Sequence, residues 1–246
     1  MSATRAAGVL AALIAAAVLV GCVGGTDPAP DPSPRAVTSE EAQLLAVTRF
    51  RNYDAGSRPF TTSLSVSGVE TELAGWIDWA SALGYAAASG SFGTEGVLWN
   101  DATVGAIPIE ADADGRPPLP IPSLDDPGWQ FQELDAGASP LYALLAALSG
   151  LGLDRPDNPL LVQQSGALWL REDELGGVPV TVFAAPADDA PVADTTDPDP
   201  DSSPLRLWID DSGTLMRAEV RLGAQWTTVD FEPGPGPRLE LPGGEG

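Results

Sequence analysis

The chain has one thiol, no histidine and no lysine, so few of its residues could carry chemistry. Cys22 closes the run Leu19-Val20-Gly21-Cys22, which follows a short apolar segment, residues 6–20, and a single basic residue, Arg5. This is the pattern of a lipobox. Small residues before the cysteine admit a signal peptidase, and the thiol is the nucleophile that takes up a diacylglyceryl group. The apolar segment has 15 residues, whereas a membrane-spanning helix needs roughly 20. Residues 1–21 therefore read as a removable signal peptide. On this reading the mature chain begins at Cys22 and is held at the extracytoplasmic face of the cell membrane. One acyl chain (a palmitate, for example) anchors marginally, and two anchor stably.

The other candidates for chemistry are weaker. Ser63, Ser65 and Ser67 share one side of a strand pattern, but no histidine exists to activate them and a Ser–Lys dyad is impossible without lysine. Asp210 and Asp211 adjoin Gly213 at a strand end, where aspartate serves backbone hydrogen bonding. The run Asp197-Pro198-Asp199-Pro200-Asp201 lacks the glycine and closing glutamate of a calcium loop. No catalytic residue, metal ligand or cofactor is expected. The 12 basic residues, all arginine, stand against 35 acidic ones, a formal charge of −23. Nucleic acid is excluded as a partner, because phosphate contacts need clustered cations. With Cys22 acylated no disulfide can form, and the fold must stand on packing alone.

The elements follow from composition and period. Residues 22–37 hold the acylated cysteine and a tether with Pro28, Pro30, Pro32 and Pro34 at every second position. Such a stretch favours polyproline II and spans ~40 Å at most. Thr38 and Glu41 fit a capping box opening a helix that ends near Tyr53. From Phe60 the period changes to two, giving strands at 60–66, 72–79, 83–88, 96–101 and 104–110. Glycine and alanine are unusually frequent there and point to bending or close approach to the backbone. Residues 112–128 are Pro-rich and read as a loop or irregular cover. Ser139-Pro140 opens a second helix, residues 141–149, apolar almost all round. Strands resume at 167–172, 178–184, 205–210, 214–222 and 225–231. Between them lies an acidic, Pro-rich surface loop, residues 186–204. Residues 233–246 read as a disordered tail, which leaves 38–232 as one domain.

Several of these features together resemble a known family. They are the lipobox, the N-terminal helix, the strand with Gly75, Trp76 and Trp79, and the run Gly177-Val178-Pro179-Val180-Thr181-Val182-Phe183. The strongest is the hairpin Leu205-Arg206-Leu207-Trp208-Ile209-Asp210-Asp211-Ser212-Gly213-Thr214-Leu215-Met216-Arg217. The chain resembles the actinobacterial LppX/LprAFG-type lipoproteins, which share the open-barrel fold of the LolA and LolB carriers. The resemblance covers residues 38–231 and implies an α+β fold. That fold is a strongly curved antiparallel sheet, an open or half β-barrel of about ten strands, with helices packed on or in its concave face. It also implies a cell-envelope lipoprotein that binds or carries a lipid or acylated glycolipid in an apolar cavity, without catalysis. The candidate cavity residues are Leu64, Val66, Ile77, Trp79, Trp99, Leu141, Leu144, Leu145, Leu148, Val180 and Trp208. Alternation puts Trp76 and Trp79 on opposite sheet faces. The other reading is an envelope interaction or sensor lipoprotein that presents the same fold to a protein partner, a transporter or a signalling protein.

Overall fold

The structure, a computed structural model, describes residues 33–91, 93–186 and 201–242. The lipobox, most of the tether and most of the acidic loop lie outside these residues. Within them the strands form a single antiparallel sheet. The strands are β1 (Arg35–Ala36), β2 (Ser57–Val66), β3 (Val69–Asp78), β4 (Leu83–Gly90), β5 (Gly93–Trp99), β6 (Thr103–Pro108), β7 (Gln130–Glu133), β8 (Leu168–Leu175), β9 (Val178–Ala184), β10 (Leu205–Ile209), β11 (Leu215–Leu222) and β12 (Gln225–Phe231). Their order is β1-β8-β9-β10-β11-β12-β2-β3-β4-β5-β6-β7. Two meanders thus meet where β12 pairs with β2, with Val229 opposite Thr62. The sheet is curled and unclosed, and the fold is α+β as expected. Twelve strands replace the ten expected. The two additions, β1 and β7, are 2 and 4 residues long, too short to show a period.

The helices are α1 (Ser39–Asp54), α2 (Pro140–Ser149) and α3 (Pro159–Gln164). The capping box of α1 forms: Thr38 Oγ1 accepts the Glu41 N–H at 3.3 Å and Glu41 Oε2 accepts the Thr38 N–H at 2.8 Å. Arg35 adds a fork onto both Glu41 oxygens at 2.7 Å. At the start of α2, Ser139 Oγ accepts the Tyr142 N–H at 3.2 Å and Pro140 takes the first helical position. Both helices pack on one face of the sheet. Ala42 and Leu45 of α1 and Leu144, Leu145 and Leu148 of α2 join Phe60, Leu73, Ile77, Trp79 and Trp99 in the main core.

The opposite face of β3 to β6 is covered without a helix. Trp76, Leu83, Tyr85, Leu98 and Ile107 pack with Ile121 from the Pro-rich stretch and with Trp129 just after it. That stretch is the irregular cover expected. The segment after Phe231 differs from expectation. Leu239 is 1% exposed in this second cluster, and its N–H donates to Asp78 Oδ2 at 3.1 Å. Gly236 N–H also donates to Ser57 O at 2.7 Å. The sequence reads as a disordered tail over 233–246; over its described part, residues 233–242, one buried leucine and two hydrogen bonds from backbone N–H groups dock it as a strap.

Candidate binding groove

The inner face of β3 to β7 changes character along the strands. Its middle row reads Ile77, Gly84, Trp99, Val104 and Gln132 in register. Here Trp99 fills the space. Its ring lies over Gly84, where a Cβ would meet ring carbon at 2.0 Å, and it meets Phe60 edge-on at 6.2 Å. Trp99 Nε1–H donates to Ser149 Oγ at 3.2 Å, and Trp79 Nε1–H donates to Leu148 O at 3.0 Å. The next row is Gly75, Ala86, Val97, Ala106 and Gln130, and the one beyond is Leu73, Ala88, Glu95 and Pro108. The β4–β5 hairpin then closes with Gly90 opposite Gly93. Side chains this small leave the end of a curled sheet unfilled.

The result is a groove of about 940 Å³ beside α2. Ala88, Val97, Val104 and Ala106 form its floor, and Val66, Val69, Gly90 and Gly93 form its end. Leu141 and Tyr142 of α2 border it, and Tyr142 Oη accepts a hydrogen bond from Gln132 Nε2–H. Its uncharged polar lining is Ser67, Thr71, Thr94, Gln130 and Gln132, with Tyr142 beside them. Among the described residues Glu95 is the only charged group in the lining, and no arginine contributes to it.

The sequence-based site is therefore displaced toward one end of the sheet. Of the candidates, Val66 and Leu141 line the groove. Leu64, Ile77, Trp79, Trp99, Leu144, Leu145 and Leu148 are buried in the main core, so the hollow directly beneath α2 is packed. Val180 and Trp208 belong to a separate cluster on the other face, with Leu168, Leu170, Val182 and Ala184. Alternation decides this: Leu207 and Ile209, on either side of Trp208, point into the main core. Trp76 and Trp79 do fall on opposite faces. Of the residues missed, Ala88, Val97, Val104 and Ala106, only Ala88 had a signal, in Ala86-Ala87-Ala88-Ser89-Gly90, a strand segment with almost no side-chain volume.

The charged groups elsewhere are structural. Arg58 is 4% exposed and donates to Leu215 O at 2.5 Å and Glu232 O at 3.2 Å. Burial pushes its guanidinium down to about 10, with Asp210 opposing the shift. Asp210 Oδ1 accepts from the Ser212 and Thr214 N–H groups at 2.9 and 2.8 Å, the turn role expected of it. The Trp208 Nε1–H bond to Asp173 Oδ2 at 2.9 Å is the main cause holding that carboxyl below its usual range. Among the described residues no three His, Cys, Asp or Glu side chains are grouped to hold a metal ion.

No family model and no curated protein sequence matches the chain. Solved structures do. The chain is similar to LprF from Mycobacterium bovis, at 12% identity and a TM-score of 0.39, over 86% of this chain and 100% of that one. It is also similar to the Mycobacterium tuberculosis lipoprotein LppX, at 15% identity and a TM-score of 0.40, over 80% of this chain and 97% of that one.

Proposed function

We propose that this protein is a cell-envelope lipoprotein, anchored by acyl chains on Cys22, whose groove shelters the acyl part of a lipid or acylated glycolipid without chemical change. The observation that carries this reading is the 940 Å³ groove, floored by Ala88, Val97, Val104 and Ala106 and bordered by neutral polar groups. Ligand sites run from about 300 to 1,000 Å³, mostly apolar with a few placed polar groups. Burial of a ~16-carbon chain contributes roughly 12 kcal/mol gross. Association costs remove part of this, and the remainder holds a lipid out of water. Protein, lipid and membrane then exchange the acyl chain by partition alone.

The test uses protein lacking residues 1–22, which carries no anchor of its own. Lipid extraction and mass spectrometry are expected to find co-purified acyl species, and a fluorescent fatty acid to bind. Ala106→Trp, which fills the floor from an inward position, is expected to lower that affinity at least tenfold, the loss of about two buried CH₂ groups. An empty protein that ignores the probe, or a probe indifferent to Ala106→Trp, leaves the partner-binding reading instead.

A further inference from the structure

The end of the sheet that holds the groove also takes in β1, the first described strand of the chain. Pairing can be followed across the sheet from β8: Leu168 faces Ala184, Ala184 faces Arg206, Arg206 faces Glu219 and Glu219 faces Thr228. Val229 faces Thr62 on β2, and from there Ser63 faces Glu72, Glu72 faces Ser89 and Ser89 faces Thr94. One line of neighbours therefore joins the first residue of β8 to the groove strands. On the same rim β1 carries the chain in from the tether, with Arg35 opposite Trp169 and Ala36 opposite Leu168. Val37 N–H donates to Ala167 O at 3.4 Å.

α3 stands at this rim. It packs against α1, and Gln163 Nε2–H donates to Ser39 Oγ at 3.2 Å. Leu160 and Leu161 are 66% and 63% exposed, and the other exposed large apolar side chains among the described residues are at most 47% exposed. No charge occurs from 158 to 170 in a chain whose net charge is −23. Two adjacent leucines bared on the one uncharged stretch beside the tether are poorly placed for water. They are well placed for a bilayer interface, which apolar side chains enter without attraction between charges. The tether decides what α3 can reach. From Val23 to Pro34 it extends about 40 Å at most, so an acylated Cys22 keeps this rim within that distance of the lipid.

We propose that Leu160 and Leu161 form a membrane foot that inserts into the lipid interface and turns the groove rim toward the bilayer. This rests on the reading of Cys22 as the anchor and gives the groove a short path for its lipid. The test uses the full acylated chain in phosphatidylcholine vesicles doped with a phosphatidylcholine carrying a nitroxide near its acyl carbonyl. Acylated Cys22 cannot take a maleimide dye, so a cysteine is placed by Gln164→Cys beside the foot or by Glu174→Cys as a control. Glu174 lies six residues along β8 from Leu168, about 20 Å away. The dye at 164 is expected to be quenched at least about twofold more than at 174, independently of salt. Leu160→Asp with Leu161→Asp should bring the two positions level while leaving the thermal melt unchanged. Leu160→Gln with Leu161→Gln serves if the aspartates perturb folding. Equal quenching at 164 and 174 in protein shown by intact mass to be acylated overturns the foot and leaves the anchor standing. An unmodified Cys22 overturns the anchor and the foot together, and lipid co-purification still reports separately on the groove.

Discussion

At the scale of single residues, the position of the groove is set by one pair. Trp99 fills the middle of the inner face because Gly84 opposite it has no Cβ. Its ring cannot retreat, since Phe60 meets it edge-on and Ser149 holds its N–H. Gly84→Ala is therefore expected to destabilise the fold by about 3 kcal/mol, as overpacking of a fixed core does. The check is a denaturant midpoint that falls with an unchanged slope. The Arg35–Glu41 pair makes a second residue-scale prediction. The Arg35 hydrogen bonds are the largest cause holding the Glu41 carboxyl below its usual range, with the Thr38 N–H adding to them. A carboxylate with a lowered folded value contributes stability above its unfolded value, about 4.3. That contribution is lost as pH falls through the folded value. Glu41→Gln should lower the melting temperature near neutrality, and the difference from the parent should close on acidification. A gap that stays constant from neutral to acidic pH would contradict this. The candidate site was legible at this scale only in part. Large apolar residues mark where a core is, and seven of the sequence candidates are core. A hollow is marked by side chains that are missing, and alanine or glycine in a strand gives no sign of which face it leaves empty.

At the scale of elements, period carried most of the fold. β9 and β12 have the limits their alternation predicts, and α1 and α2 have the caps that Thr38 and Ser139 predict. What escaped was too short for a period, or held by few contacts. α3 is six residues long and was announced only by Asn158 and Pro159, an N-cap followed by proline. The strap after Phe231 reads as solvated composition, yet its order depends on Leu239 in the Trp76 and Tyr85 cluster. Leu239→Ala should destabilise the protein by about 3 kcal/mol, the cost of truncating a buried leucine. Hydrogen exchange at Gly236 and Leu239, whose N–H groups bond Ser57 and Asp78, should accelerate with it. If Leu239→Ala melts like the parent, the strap is not part of the cooperative unit. Tyr85 gives an independent signal from the same cluster. Burial raises its phenol to about 12, so loosening the strap should let it ionise at lower pH.

At the scale of the whole molecule, charge and shape together would select among lipids if the groove binds them as proposed. The chain carries a net charge of −23; among the described residues Glu95 is the only charge in the groove's lining, and no guanidinium is there to meet a phosphate. The neutral donors and acceptors at its edge, Thr71, Thr94, Gln130, Gln132 and Tyr142, suit hydroxyl groups. An acyl chain lying on the Ala88–Ala106 floor would bring its head group close to these residues. A phosphate there would meet the like charge of Glu95, a penalty worth about fivefold in affinity for charges a few ångströms apart in water. Protein lacking residues 1–22 should therefore prefer diacylglycerol or a neutral glycosylated diacylglycerol over phosphatidylglycerol with the same chains. Glu95→Gln should narrow that preference, and so should salt, which screens exposed charges. Displacement of a bound fluorescent fatty acid by each lipid in turn measures both effects. Tighter binding of phosphatidylglycerol, or a preference that ignores both Glu95→Gln and salt, would mean that the head group leaves the groove by another route than past Glu95.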